Sequence, residues 1–113
     1  MTTLDLFSTI GVVVVPDHAP EATIQERFEA FAAANPWVGE ALEGMALDLH
    51  RRGRKRIGVK MLAERLRYEY ERATSDPTST FRINNSYVSR YARWLVERHP
   101  ELADSIELRE LKA

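Results

Sequence analysis

Residues 84–98, NNSYVSRYARWLVER, decide the fold because they join a strong helix start to two well-separated faces. Asparagine and serine are among the best helix-capping residues, and here they stand together at the start. On a helix of about 3.6 residues per turn, one face carries Val88, Tyr91, Ala92 and Leu95. The opposite face carries Ser86, Arg90, Arg93 and Glu97. We therefore predict an amphipathic helix with its apolar face buried and its polar face exposed.

Three further helices are predicted before this one. Thr23 and Glu26 have the spacing of a capping box, which begins the first helix. Asn35 and Pro36 end that helix and open the second, because asparagine caps well and proline is tolerated at the first helical position. Gly53 is the expected stop of the second helix. Apolar spacing predicts a third helix over about residues 59 to 73, and proline opens a last short helix at position 100.

Two segments outside the helices leave alternatives open. Residues 81–83 alternate apolar and basic, and residues 106–108 alternate apolar and acidic, so these could form a short two-stranded sheet. Residues 1–22 read as a partly extended N-terminal arm, since the β-branched run over residues 10–15 favours an extended strand. The arm either covers the domain or is swapped onto a second copy. The fold class is thus mainly α, with one compact helical domain over residues 23–113.

The formal net charge of −1 conceals an uneven distribution of charge. Residues 1–50 hold eight acidic side chains and one basic one, whereas residues 51–98 hold thirteen basic and five acidic. The densest basic segment is the connector between the second and third helices, RRGRKR at residues 51–56. Such a basic block is a common electrostatic footprint of nucleic-acid binding.

The predicted partner is double-stranded DNA. Arginine and asparagine read base edges, while lysine, arginine and serine hold phosphates. The residues expected to contact DNA are Arg54, Lys55, Arg56, Lys60, Arg82, Asn84, Asn85, Ser86, Ser89, Arg90 and Arg93. A winged-helix or helix-turn-helix relative would present the start of the fourth helix to the groove. The link of about ten residues before that helix is too long for a tight helix-turn-helix, which uses three or four.

Composition argues against catalysis and against a membrane location. The chain has 113 residues and no cysteine. His18, His50 and His99 are widely spaced, and no glycine-rich phosphate loop or nucleophile elbow is present. We expect no enzymatic activity, no metal and no cofactor. No apolar run approaches the roughly 20 residues of a membrane span, so a cytoplasmic protein is expected.

A different class of function remains open from the residues alone. Arginines on an exposed helix face are usually solvated, and many here can pair with nearby glutamates. The acidic first part of one chain could meet the basic middle of another. This alternative predicts a homodimer, or a helical module that binds a host protein, without nucleic-acid binding.

Several segments resemble a small, largely uncharacterised protein family encoded in phage and prophage genomes. The similarity begins at IQERFEAF (residues 24–31) and Asn35-Pro36, and continues through RIGVKML (56–62) and LRYE (66–69). It is strongest at FRINNSYVSRYAR (81–93) and covers roughly residues 23–111. The resemblance implies a phage origin and a compact domain, and it assigns no site.

Overall fold

Four α-helices and one short 3-10 turn make up the regular structure. The computed structural model describes residue 7, residues 10–74, residue 81 and residues 83–108. The elements are α1 (Ile24–Ala34), α2 (Pro36–Arg51), α3 (Val59–Thr74), α4 (Asn85–Arg98) and a 3-10 turn over Pro100–Leu102. The predicted single, mainly helical domain is confirmed.

The first two helices begin and end where local chemistry requires. The hydroxyl of Thr23 accepts the backbone N–H of Glu26 at 3.1 Å, and the Glu26 carboxylate accepts the Thr23 N–H at 2.8 Å. This reciprocal pair is the predicted capping box. Asn35 then ends α1 by donating its N–H to the Phe31 carbonyl, and Pro36 takes the first position of α2. Both boundaries were predicted from sequence and both are confirmed.

Gly53 stops α2 as expected. Its φ of 81° lies in the left-handed region, where a side chain is strained and glycine is not. The connector that follows leads directly into α3. Ile57 anchors the end of the connector, because it is buried and its N–H bonds the Ser105 carbonyl at 2.9 Å.

One hydrophobic core holds the helices together. α2 packs on α3, α3 on α4, and α1 on both α2 and α4. The predicted apolar face of α4 is buried at Tyr91, Ala92 and Leu95 and half-buried at Val88. An aromatic group joins α2, α3 and the chain before α4, with the Tyr70 ring 5.8 Å from Trp37 and 4.7 Å from Phe81. Aromatic pairs at such distances add to the hydrophobic stabilisation of a core.

The described residues contain no strand, so the structure does not support the short sheet. The segment around Ile106, which is buried, joins the connector through the Ser105 carbonyl instead of joining residues 81 and 83. Residue 82 and the tail from residue 109 onward lie outside the described residues. The wing of a winged-helix domain thus finds no counterpart in the part of the chain that is described.

The described part of the N-terminal arm lies on the helical domain. Residues 10–19 have neither helix nor strand, so the strand that the β-branched run favours is not present there. Ile10 and Val13 are half-buried against the core, whereas Val12 and Val15 are largely exposed. Within this chain, Val14 and Asn35 join the described part of the arm to the chain's own helical domain.

Candidate nucleic-acid interface

The connector between α2 and α3 carries an exposed group of cations. Arg51, Arg54, Lys55 and Arg56 are all exposed, and so is Lys60 in the first turn of α3. Within the described residues, none of these five side chains forms an ion pair. Only Arg52 of the connector is neutralised, by Asp48 at 3.0 Å. We call these five residues the connector cations; they place five uncompensated positive charges within ten residues.

The other basic residues nearby are largely neutralised by neighbours on the same helix. On α3, Arg65 bonds Glu69 at 2.8 Å, and Arg72 lies 3.6 Å from the same carboxylate. Arg67 lies 3.9 Å from Glu71. These pairs are spaced three or four residues apart, the separation at which helical side chains meet. Among the described residues, the exposed positive charges that have no carboxylate partner are therefore concentrated in the connector cations.

A cleft lies between the start of α3 and the start of α4. Its volume is about 440 Å³. It is lined by Ile57, Gly58, Val59, Lys60, Asn85, Ser86, Val88, Ser89, Arg90, Ala92 and Glu107. Because the first residues of both helices lie in its wall, the positive ends of two helix dipoles add to the charge of Lys60. Backbone N–H groups at helix starts are common partners of phosphate oxygens.

The structure brings five predicted DNA-contacting residues together in this cleft. Lys60 contributes a charge, and Asn85, Ser86 and Ser89 contribute an amide and two hydroxyls. Asn85 is exposed, whereas Ser86 and Ser89 are half-buried. The Ser89 hydroxyl donates to the Asn85 carbonyl at 3.2 Å. The cleft joins the connector, since residues 57–60 belong to its wall.

Arg90, the fifth of these residues, is not on the exposed face where we predicted it. Its side chain is only 7% exposed. The guanidinium donates from Nε to the Gln25 Oε1 at 2.9 Å and from Nη1 to the Ser86 carbonyl at 3.2 Å. The expectation of an exposed Arg90 was wrong because α1 packs on this side of α4 and covers it. The helical period cannot show this, since Gln25 is 65 residues away in the sequence.

The remaining predicted residues are separated from the cleft. The Asn84 side chain caps α4, because its oxygen accepts the Tyr87 N–H at 2.9 Å. Arg93 is half-buried and does not line the cleft. Arg54, Lys55 and Arg56 are exposed on the connector, and Arg82 lies outside the described residues. Glu107, an acidic side chain in the cleft wall, was not among the residues predicted for this site.

A second polar cluster ties the end of α4 to α2. The Glu43 carboxylate accepts from Arg98 Nε at 2.9 Å and lies 2.6 Å from His99 Nε2. Burial tends to raise the pKa of Glu43, but hydrogen bonds and charge from His99 and Arg98 outweigh burial and lower it. Arg98 also lies over the Trp94 ring, 4.8 Å from its centre. This cluster neutralises Arg98, so it adds no charge to the connector cations.

No protein-family model, curated protein or solved structure matches this chain. Among the described residues, no three histidine, aspartate or glutamate side chains group closely enough to hold a metal ion. No described helix is both long and apolar enough to cross a membrane.

Proposed function

We propose that this domain binds double-stranded DNA as an accessory or regulatory protein of phage origin. The observation that carries the proposal is the group of five connector cations, which form no ion pair with any described residue, beside a cleft at two helix starts. Phosphate contacts supply most of the affinity of non-specific DNA binding, and clustered, unpaired lysine and arginine side chains supply those contacts.

The connector and the cleft would make different kinds of contact with DNA. Arg54, Lys55 and Arg56 are exposed and free to follow the phosphate backbone, where they position the protein without reading sequence. Asn85 at the rim of the cleft is the exposed amide, a group that can pair with an adenine edge. In this arrangement α3 and α4 are the helix pair of a helix-turn-helix relative, with the start of α4 toward the groove. Arg90 holds α4 against α1 and does not contact DNA.

The test is the salt dependence of binding to a labelled duplex. If all five connector cations contact phosphates, log K against log salt has a slope of about −4.5, since each contact contributes about −0.9. Affinity measured by fluorescence anisotropy then falls roughly 500-fold between about 50 and 200 mM salt. A triple variant, Arg54→Ala/Lys55→Ala/Arg56→Ala, should reduce the slope to about −1.8.

A matched control removes the same charge from α3. The variant Arg65→Gln/Arg67→Gln/Arg72→Gln also loses three positive charges, but these arginines are paired with glutamates. We expect its slope to stay within about 0.5 of the parent. Equal losses in both triple variants would show a response to net charge alone and overturn the proposed interface. A parent slope near zero would overturn DNA binding itself, and a dimer that dissociates in salt would then favour association through the acidic residues.

A further inference from the structure

Backbone groups of the arm form hydrogen bonds with side chains of the helical domain. The N–H of Val14 donates to Asn35 Oδ1 at 2.7 Å, and Asn35 Nδ2 donates to the Val14 carbonyl at 2.7 Å. One side-chain amide thus satisfies both backbone groups of a residue, as a neighbouring β-strand would. Asn35 is itself fully buried and is held in place by a further bond to the Phe31 carbonyl at 3.0 Å.

Asn35, Trp37 and Tyr70 form the surface that the arm contacts, and we call this surface the groove. A Cβ added at Gly11 would stand 3.4 Å from Trp37 Cδ1, so the arm lies close against the indole. The Tyr70 hydroxyl accepts the Val13 N–H at 3.3 Å. The groove therefore combines the Asn35 amide, which forms hydrogen bonds with the backbone, with the aromatic rings of Trp37 and Tyr70, which lie close to the arm. This is a common way for proteins to bind extended peptides.

Residues 17–22, at the end of the arm, form a short and mostly exposed linker to α1. Residues 17–21 are exposed, and residue 22 is half-buried beside α1. Six residues can span at most about 20 Å. The arm also leaves much apolar surface in water, with Val12 76%, Val14 51% and Val15 80% exposed. Exposed β-branched segments with unpaired backbone groups invite pairing with another chain.

We propose that the groove of one chain binds the arm of a second copy, giving a reciprocal, arm-exchanged dimer. The contacts described for Gly11, Val13 and Val14 are available in the same form between two chains, because the partner presents the same Asn35, Trp37 and Tyr70. The length of the linker determines whether the arm binds its own chain or a second copy. A short tether supplies an effective concentration of about a millimolar, so the arm binds its own chain in dilute solution. Exchange prevails near millimolar protein, or when the linker is too short to fold back. The proposed dimer does not depend on DNA binding.

The test shortens the linker in the otherwise full chain. Deleting residues 18–20 removes about 10 Å of reach and the turn in which the Ala22 N–H bonds the Ala19 carbonyl. We expect light scattering to give about twice the 13.0 kDa of one chain. Adding Val14→Pro removes the N–H that Asn35 accepts and should return the shortened chain to a monomer. The matched control is Val15→Pro, at a residue that is 80% exposed, and it should leave the dimer intact.

Two results on the shortened chain would overturn the proposal. One is a monomer at concentrations up to about 1 mM, where a tether of this kind no longer outcompetes a second chain. The other is a dimer equally stable with Val14→Pro, because association would then not use the Asn35 contact.

A second measurement uses the unaltered chain, so it does not depend on the folding of the deletion. An isotope-labelled peptide with the sequence of residues 10–18 is added to unlabelled protein. We expect saturable shifts of the Val13 backbone amide of the peptide in NMR spectra, and none with a peptide that carries proline in place of Val14. Unchanged peptide signals at about 1 mM protein would mean that the groove does not accept an arm from outside its own chain.

Discussion

Replacing Arg90 by alanine separates a structural role from a DNA contact. The residue is only 7% exposed, and within the described part of the chain its guanidinium donates hydrogen bonds to the Gln25 side chain and to the Ser86 carbonyl. Hydrogen bonds from charged groups contribute about 1.5–3 kcal/mol each. The Gln25 amide is exposed and can bond water once the arginine is gone, which offsets part of the loss. We therefore expect Arg90→Ala to lower the free energy of unfolding by about 2 kcal/mol.

That loss is large enough to measure by thermal unfolding. For a domain of this size, 1 kcal/mol shifts the Tm by about 4 °C, so Arg90→Ala should melt about 8 °C below the parent. The control is Lys60→Ala, since Lys60 is exposed, lines the same cleft and forms no ion pair with any described residue. It should change stability by less than about 0.5 kcal/mol.

Duplex binding at several salt concentrations completes the comparison. Lys60→Ala should reduce the slope of log K against log salt by about 0.9, while Arg90→Ala leaves it unchanged under conditions where the variant is folded. The reasoning is refuted if Arg90→Ala melts within about 2 °C of the parent and reduces the slope as Lys60→Ala does. Arg90 would then be a phosphate contact and not a brace between α1 and α4.

Three further predictions concern stability and side-chain packing. Gly53→Ala should lower the free energy of unfolding by about 1 kcal/mol in urea titrations, because the φ of 81° strains a side chain although no atom lies within 4 Å. Gly39→Ala should shift the tryptophan emission spectrum, since the added Cβ would stand 3.1 Å from Trp94 Cη2 and must displace the ring. Glu43→Gln should destabilise the domain above about pH 4.5 and progressively less below it. The pKa of Glu43 is lowered in the folded state, so the stability it contributes is complete above its ordinary value of 4.5 and is lost as pH falls. A pH-independent difference in Tm between Glu43→Gln and the parent would contradict this account.

Part of the candidate site could be read from the sequence. The connector cations are consecutive or nearly so, and a charged loop between two amphipathic helices is exposed whatever the helices pack against. Lys60, Asn85, Ser86 and Ser89 were predicted to contact DNA and do lie in one cleft. That these four residues lie in the same cleft could not be predicted from the sequence, because it depends on how α3 and α4 pack. The neutralisation of Arg98 was equally hidden, since its partner Glu43 is 55 residues away.

The sequence by itself determined where the helices begin and end. The caps at Thr23 and Asn84, the proline after Asn35 and the glycine at position 53 act on backbone groups within about four residues, so they work before any helix packs. Tertiary structure alone decided what the polar side chains do. Arg90 is covered by α1 instead of facing solvent, and Asn35 both ends a helix and grips the arm 21 residues earlier. Burial and hydrogen-bond partners depend on which surfaces meet, and that is a property of the whole chain and not of any local pattern.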